Sequence, residues 1–342
     1  MDSDSTSANE TFQLGPFSAP RLWTGLWQLS SNAWGTASVS KIRQAMGRYV
    51  DIGHTAFDMA DHYGSAEIIF GQFRASLQSP NTILGATKWC VFKPTQITHQ
   101  TVETAVRQRM QCMRTERVDL LQFHWQDYDN PEYLKAVEIL VELRAQGLIA
   151  ALGLCNFDTA RTDEICTRFP GIIVSNQVQF SLIDTRPLSR MIAVCDKHGI
   201  KLLTYGTLCG GFLADKWIGE PEPHPYSGNL NPSQRKYLDM ITKAWGSWDL
   251  FQELLRTLRV IGDRHGGRSV SNIAERWVLD HPAVGAVIIG ARLGCSEYPD
   301  DNLKVFGFTL DAEDQREIDG VLKRSNGSRL VETIGDCGAE YR

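Results

Sequence analysis

The stretch Thr55-Ala56-Phe57-Asp58-Met59-Ala60-Asp61-His62-Tyr63-Gly64, positions 55–64, contains one complete change of local structure. A short apolar step ends on an acid, a tight polar segment follows, and Ser65-Ala66-Glu67 then opens a helical pattern that runs to Leu77. This is a strand–loop–helix unit, and the rest of the chain repeats it. Strand candidates are Leu22–Trp27, Thr55–Asp58, Ile83–Lys88, Val118–His124, Ile149–Leu154, Ile172–Gln177, Lys201–Tyr205 and Ala286–Ile289. Between them lie stretches of helical periodicity: Val39–Ile52, Glu67–Leu77, Gln96–Met113, Pro131–Gln146, Thr159–Arg168, Leu188–His198, Asp249–His265 and Ser271–Asp280. Gly53, Gly147 and Gly199 stand just past three of these as helix stops, and Asp158 and Ser271 suit N-caps.

Strands that each feed a helix are most economically closed into a parallel (β/α)8 TIM barrel, an α/β fold. An open doubly wound sheet would want a glycine-rich phosphate loop after an early strand, and the chain has no GxGxxG and no P-loop. The barrel predicts one domain over residues 11–342, preceded by a polar, acidic tail at 1–10 that reads as disordered. Phe12–Pro20 suits a hairpin capping the bottom of the barrel. Residues 214–248 form a long insertion rich in Pro and aromatics, a length usually reserved for lids and binding loops.

Composition narrows the partners. A net charge of −5 argues against a nucleic-acid surface. Eight cysteines with no CxxC pair read as buried thiols of a reduced, cytoplasmic protein, and no metal is expected. No apolar run approaches the ~20 residues that span a membrane. Oligomeric state is not legible.

In such a barrel the functional groups sit at the C-terminal strand ends. Asp58, Lys88 and His124 each end a predicted strand, and Tyr63 lies in the first of the loops that follow. Singly, each has an ordinary structural use as a cap, a snorkelling amine or a core histidine. Together they form a proton-transfer set: a phenol has a pKa near 10, and a desolvated ammonium beside it, held charged by an acid, lowers that barrier. His124 can hydrogen-bond a substrate carbonyl. The set suits protonation of an oxygen that is becoming an alkoxide, as in hydride transfer to an aldehyde or ketone, with a nicotinamide as hydride source. Asn156 and Gln177 could bind a carboxamide, Tyr205 could stack, and Gly206–Gly211 would let backbone approach closely. Arg292 after Gly290 could grip a phosphate. A Schiff-base lyase with Lys88 as nucleophile is the competing chemistry, opposed by the Asp58 pairing. Trp27, Trp89 and Trp125 lie near the rim and suggest an apolar or aromatic carbonyl substrate.

Asp58-Met59-Ala60-Asp61-His62-Tyr63-Gly64, Thr87-Lys88, Phe123-His124-Trp125, Gly153-Leu154-Cys155-Asn156-Phe157, Asn176-Gln177 and the Tyr205–Leu213 loop together resemble the aldo-keto reductase family. The resemblance runs from about Arg21 to about Arg324. It implies a barrel binding NADP(H) across its strand ends. Tyr63 would be the general acid, tuned by Lys88 and Asp58, with His124 orienting the carbonyl. Asn156 and Gln177 would hold the carboxamide and Tyr205 would stack on the nicotinamide. Gly206, Leu208 and Gly210 would lie along the pyrophosphate, Gly290 and Arg292 near the 2′-phosphate, and Asn302 near the adenine. Cys155 departs from the family's usual Ser, and the segment from Gly290 to Asn302 is longer than usual. Some relatives keep this barrel as NADP(H)-binding regulatory or interaction proteins, which is the alternative reading.

Overall fold

The computed structural model describes residues 10–226, 228 and 230–342. It opens on an antiparallel hairpin, β1 (Thr11–Leu14) and β2 (Phe17–Pro20). Eight parallel strands then close into a barrel: β3 (Leu22–Gly25), β4 (Ala56–Asp58), β5 (Leu84–Val91), β6 (Val118–Trp125), β7 (Ile149–Cys155), β8 (Ile173–Gln179), β9 (Lys201–Tyr205) and β10 (Val284–Gly290), with β10 pairing β3 to complete the ring. Leu14 and Ala19 of the hairpin pack on Ala56, Leu84 and Ala286, residues at or near the starts of their strands, so the hairpin plugs the end opposite the functional rim. Gly285 has to be glycine there, because a Cβ would stand 2.3 Å from the Phe12 ring.

The first residues of the chain separate into two groups. Positions 1–9 of the expected tail lie outside the described residues, while Glu10 accepts hydrogen bonds from Arg21 and Arg276 at 3.0 and 2.7 Å. No helix among the described residues is long and apolar enough to cross a membrane.

Several local expectations shift. β5 continues past Lys88 to Val91, because Trp89, Cys90 and Val91 find ladder partners in Phe123, His124 and Trp125. The cap of the helix Val270–Leu279 is Ser269, not Ser271: the Ser269 hydroxyl accepts from Asn272 N, and the Asn272 side chain accepts from Ser269 N in return. The pattern over 188–198 is two helices, Arg186–Ser189 and Met191–His198, broken at Arg190. The 214–248 insertion carries a helix, Pro232–Asp239, and a wide π turn, Met240–Trp245. Its aromatics mostly face inward. Trp217 and Trp248 join Phe212 and Phe251 with ring centroids 4.8–6.4 Å apart, and Trp245 is fully buried. The insertion therefore adds core of its own, and only one face of its helix reaches the rim.

Close helix contacts fix the outer layer. Gly71, in the helix Ala66–Arg74, meets the backbone of Cys112 and Met113, where an added Cβ would come within 2.6 Å. Gly71→Ala should gain about 1 kcal/mol of helix propensity and lose about 1–3 kcal/mol to overpacking against backbone that cannot rotate away. The net expectation is a lower urea midpoint, and an unchanged or higher one would show that the two helices have room to separate.

Candidate functional site

Strand parity decides which side chains enter the barrel mouth. Lys88 and Cys90 on β5 face inward while Trp89 faces the helices, and on β6 Gln122 and His124 alternate with Phe123 and Trp125. The inward set lines a cleft of about 810 Å³ running across the strand ends. Asp58, Tyr63, Lys88 and His124 all reach it, as do Asn156, Gln177, Tyr205, Gly206, Leu208, Gly210, Gly290 and Asn302.

Lys88 and Asp58 form the floor. Lys88 Nζ donates to Asp58 Oδ2 at 2.7 Å and to the Met59 carbonyl at 2.8 Å, with both side chains almost wholly buried. Asp58 Oδ1 accepts from Nε2 of Gln122 and Nε2 of Gln177, each at 2.8 Å, and Gln177 Nε2 also donates to Gln122 Oε1. Burial disfavours the Lys88 ammonium, but the Asp58 charge overrides it and the lysine's pKa ends above its ordinary value. A lysine held this firmly charged is a poor nucleophile, which removes the basis for a Schiff-base reading.

Tyr63, half-buried, places its ring 4.9 Å from Lys88 Nζ. Burial pushes the phenol above its ordinary range, with the Lys88 ammonium pulling it down and the Asp58 carboxylate pushing it up. The expected lowering by Lys88 is present but does not dominate, so Tyr63 is a protonated hydroxyl ready to donate. His124 donates from Nδ1 to the Cys155 carbonyl at 3.0 Å, since a carbonyl can only accept. Burial lowers its pKa to about 4, so the ring is neutral near pH 7 and Nε2 carries a bare lone pair with no protein partner. Nε2 is thus an acceptor for a hydroxyl, not a donor to a carbonyl as the sequence alone suggested.

Beside them stands Asn156, in the left-handed region at φ 58°. Its Oδ1 accepts from the Tyr205 hydroxyl at 2.9 Å, and its backbone N–H donates to the Gln177 carbonyl. The 336–342 segment braces it from above. Gly338 lies so close that a Cβ would stand 2.1 Å from the Asn156 carbonyl oxygen, and Arg342 donates to that oxygen and to the Tyr128 hydroxyl. Glu340 pairs with buried Arg186 at 3.0 Å, and the Tyr341 ring stands edge-on to His124. With Oδ1 engaged, Asn156 is left with its Nδ2 donors; with Nε2 engaged, Gln177 is left with its Oε1 acceptor.

Not every candidate reaches the cleft. Trp27 does, edge-on to Trp34. Trp89 and Trp125 do not: parity turns both outward, Trp89 against Phe123 and Trp125 with its indole N–H donating to the carbonyls of Asp127 and Asn130. Arg292 is also outside the cleft lining. It is buried, its Nε donates to the Gly35 carbonyl, and its Nη1 has no partner. Sequence reasoning passed over Gln122, which the β6 alternation could have revealed two residues before His124. It also passed over the 336–342 segment, for which no local signal exists.

The His124 shift has a consequence for stability. Unfolding exposes an imidazole with a pKa near 6.5, whereas the folded ring titrates near 4, so stability is fully present above about pH 6.5 and falls, by up to roughly 3 kcal/mol, as pH drops towards 4. His124→Gln should flatten that limb, seen as a smaller difference in urea stability between about pH 7.5 and about pH 5 than in the wild type. Identical pH dependence in both would mean that the ring is not neutral in the fold.

Comparison with known proteins gives a consistent result. The chain is 27% identical over 320 residues to the aldo-keto reductase YhdN of Bacillus subtilis, covering 90% of this chain and 91% of that one. It is 25% identical over 339 residues to the chloroplastic pyridoxal reductase of Arabidopsis thaliana, covering 93% and 87%. Among solved structures, a glycerol dehydrogenase from Gluconobacter oxydans superposes with a TM-score of 0.75 at 23% identity, over 94% of this chain and 96% of that one. An aldo-keto reductase from Klebsiella pneumoniae in complex with NADPH does so at 0.69 and 18%, over 92% and 95%. Residues 21–323 match the aldo/keto reductase family, and with a closed eight-stranded barrel carrying the tyrosine, lysine, aspartate and histidine at its rim, the chain belongs to that family.

Proposed function

We propose that this protein is an NADP(H)-dependent oxidoreductase that reduces an aldehyde or ketone to an alcohol, with Tyr63 as general acid. The observation that carries the reading is the protonated Tyr63, its ring 4.9 Å from a Lys88 ammonium that Asp58 and the Met59 carbonyl hold, with Asp58 itself held by Gln122 and Gln177.

The cleft fits a nicotinamide cofactor. A carboxamide offers one acceptor and one donor pair, and Asn156 Nδ2 with Gln177 Oε1 is the complementary set. Tyr205, at the end of the next strand β9, has its hydroxyl tied to Asn156 Oδ1, and its ring lines the cleft as a flat surface. Gly206, Gly210 and Gly211, all at positive φ, line the cleft with Leu208 and offer exposed backbone for the phosphates to approach. Gly290, Asn302, Ser269 and Ser271 also line the cleft and offer polar partners to the adenosine part, while Arg292, buried outside that lining with its Nη1 shielded, would have to turn to reach a 2′-phosphate. When bound, the cofactor supplies hydride.

The chain's own groups supply the proton. Tyr63 donates its hydroxyl proton to the oxygen that was the carbonyl, and Lys88 stabilises the phenolate left behind at a position that Asp58 fixes. His124 Nε2 accepts a hydrogen bond from the hydroxyl so formed and holds it in the pocket. Phe92, Trp27 and Tyr341 line the approach, which favours a carbonyl compound with some apolar surface.

Tyr63→Phe should reduce turnover of aldehydes by about 10²–10⁴-fold or more, with cofactor Kd, read by fluorescence quenching, almost unmoved. Near-normal turnover would remove Tyr63 from the role. Gly338→Ala should displace Asn156 and weaken cofactor binding about 3- to 10-fold, one hydrogen bond's worth. A variant that loses thermal stability yet keeps its cofactor Kd would make the 336–342 brace purely structural.

A further inference from the structure

At the lip of the cleft, three side chains that the proton-transfer set does not use converge. Asp61, His62 and Cys90 bring a carboxylate oxygen, an imidazole Nδ1 and a thiol sulfur within 4.8 Å of one another. We propose that they form a binding site for a borderline-soft divalent cation, Zn²⁺ by preference, and that a cation bound there blocks the approach to Tyr63.

The donor set selects the metal. Carboxylate, imidazole and thiolate together suit zinc, whereas calcium and magnesium want oxygen alone. The spacing suits it too. His62 Nδ1 and Asp61 Oδ1 are 3.1 Å apart, and two ligands each about 2.0–2.1 Å from a tetrahedral ion lie only slightly further apart than that. A cation entering between them takes over the His62–Asp61 hydrogen bond and the Cys90 thiol's bond to Asp61.

Asp61 is aimed in advance. Its Oδ2 accepts the backbone N–H of Cys90 at 2.8 Å, so the residue that offers the thiol also orients the carboxylate, as outer partners do in established metal sites. The nearby Arg109 guanidinium, 3.8 Å from Asp61, does not cancel this charge, because Glu67 neutralises it at 2.9 Å. His62 is exposed and Cys90 half-buried, so an ion can reach both from the cleft that both line. Three protein ligands leave a fourth position for water. Binding replaces the thiol proton, which passes to solvent, with a sulfur–metal bond.

The consequence for activity follows from position and rests on the reductase reading. The His62 ring stands edge-on to Tyr63 at 4.8 Å and to Phe92 at 5.0 Å. A hydrated dication on His62 and Cys90 fills the entry between these rings and would make reduction zinc-inhibitable and restorable by a chelator.

The test reads the metal first and activity second. The full chain is titrated with Zn²⁺ in a calorimeter and with Co²⁺ in an absorption cell. One equivalent should bind, and the cobalt form should show tetrahedral d–d bands with a sulfur-to-cobalt charge-transfer band. Cys90→Ser should lose that band and weaken Zn²⁺ by about tenfold or more, and His62→Ala should weaken it similarly. Cys295→Ser, which removes the one exposed cysteine, should bind as wild type does. In the unmutated protein, Zn²⁺ should also protect Cys90 from iodoacetamide, mapped by mass spectrometry, which holds even if a variant folds poorly. Absence of 1:1 binding, a charge-transfer band that survives Cys90→Ser, or Cys90 alkylated equally with and without zinc overturns the site. Zinc bound at these residues without inhibition overturns only the blocking role, and a protein that binds zinc but reduces no carbonyl leaves the site standing and refutes the reductase reading.

Discussion

The rim depends on one buried ion pair. Lys88 and Asp58 are almost fully removed from water, and taking two such charges out of solvent costs several kcal/mol each. What makes the pair tolerable is saturation: Asp58 accepts from Lys88, Gln122 and Gln177, and Lys88 also donates to the Met59 carbonyl. The contributors come from β4, β5, β6 and β8, so no element can shift without leaving a charge uncompensated. The barrel register is therefore tied to the position of one ammonium, and the Tyr63 ring stands 4.9 Å from it.

This dependence accounts for which parts of the molecule were legible from the chain. The alternation of apolar steps and helical stretches located all eight barrel strands to within a few residues at each end, because each strand must be apolar enough to lie between the barrel interior and the helices. The meeting of Asp58, Tyr63, Lys88 and His124 in one cleft was readable because each lies at or just past the exit of a barrel strand, and strand exits share one rim. Gln122 was not singled out, since a glutamine inside a strand carries no chemical signature of its own; it matters only once Asp58 is known to need another donor. Trp89 and Trp125 misled for the opposite reason. Nearness to the rim in sequence is not nearness in space when successive side chains point to opposite faces.

Tertiary contacts without local signal account for the rest. The 214–248 insertion looked like an aromatic lid, yet Trp217, Trp245 and Trp248 are consumed in packing, because an excursion of that length has to bury its own surface. The bracing of Asn156 by Gly338 and Arg342 joins residues far apart in the chain, and neither glycine nor arginine near position 340 announces it. The left-handed backbone of Asn156 is the observable that makes this brace meaningful, since a non-glycine residue holds φ 58° only when its surroundings compel it.

The distribution of unmet hydrogen bonds then says what a ligand has to bring. Beneath the rim, buried ion pairs join Lys88 with Asp58, Arg109 with Glu67, Arg186 with Asp184 and Glu340, and Arg74 with Asp119. Among the residues lining the cleft, His124 Nε2, Trp34 Nε1 and the Tyr49 hydroxyl are buried without a protein partner, and outside that lining so is Arg292 Nη1. His124 Nε2 is a lone pair and asks for a hydroxyl. Trp34 Nε1 and Arg292 Nη1 are N–H donors that ask for an acceptor. Burying any of them unmet costs about 1–3 kcal/mol, more for the charged one, a cost that folding alone does not recover. A ligand in the cleft that brings a hydroxyl to His124 Nε2 meets the one of these demands that sits beside Tyr63 and Lys88, and that places the reacting end of any such ligand over the buried ion pair.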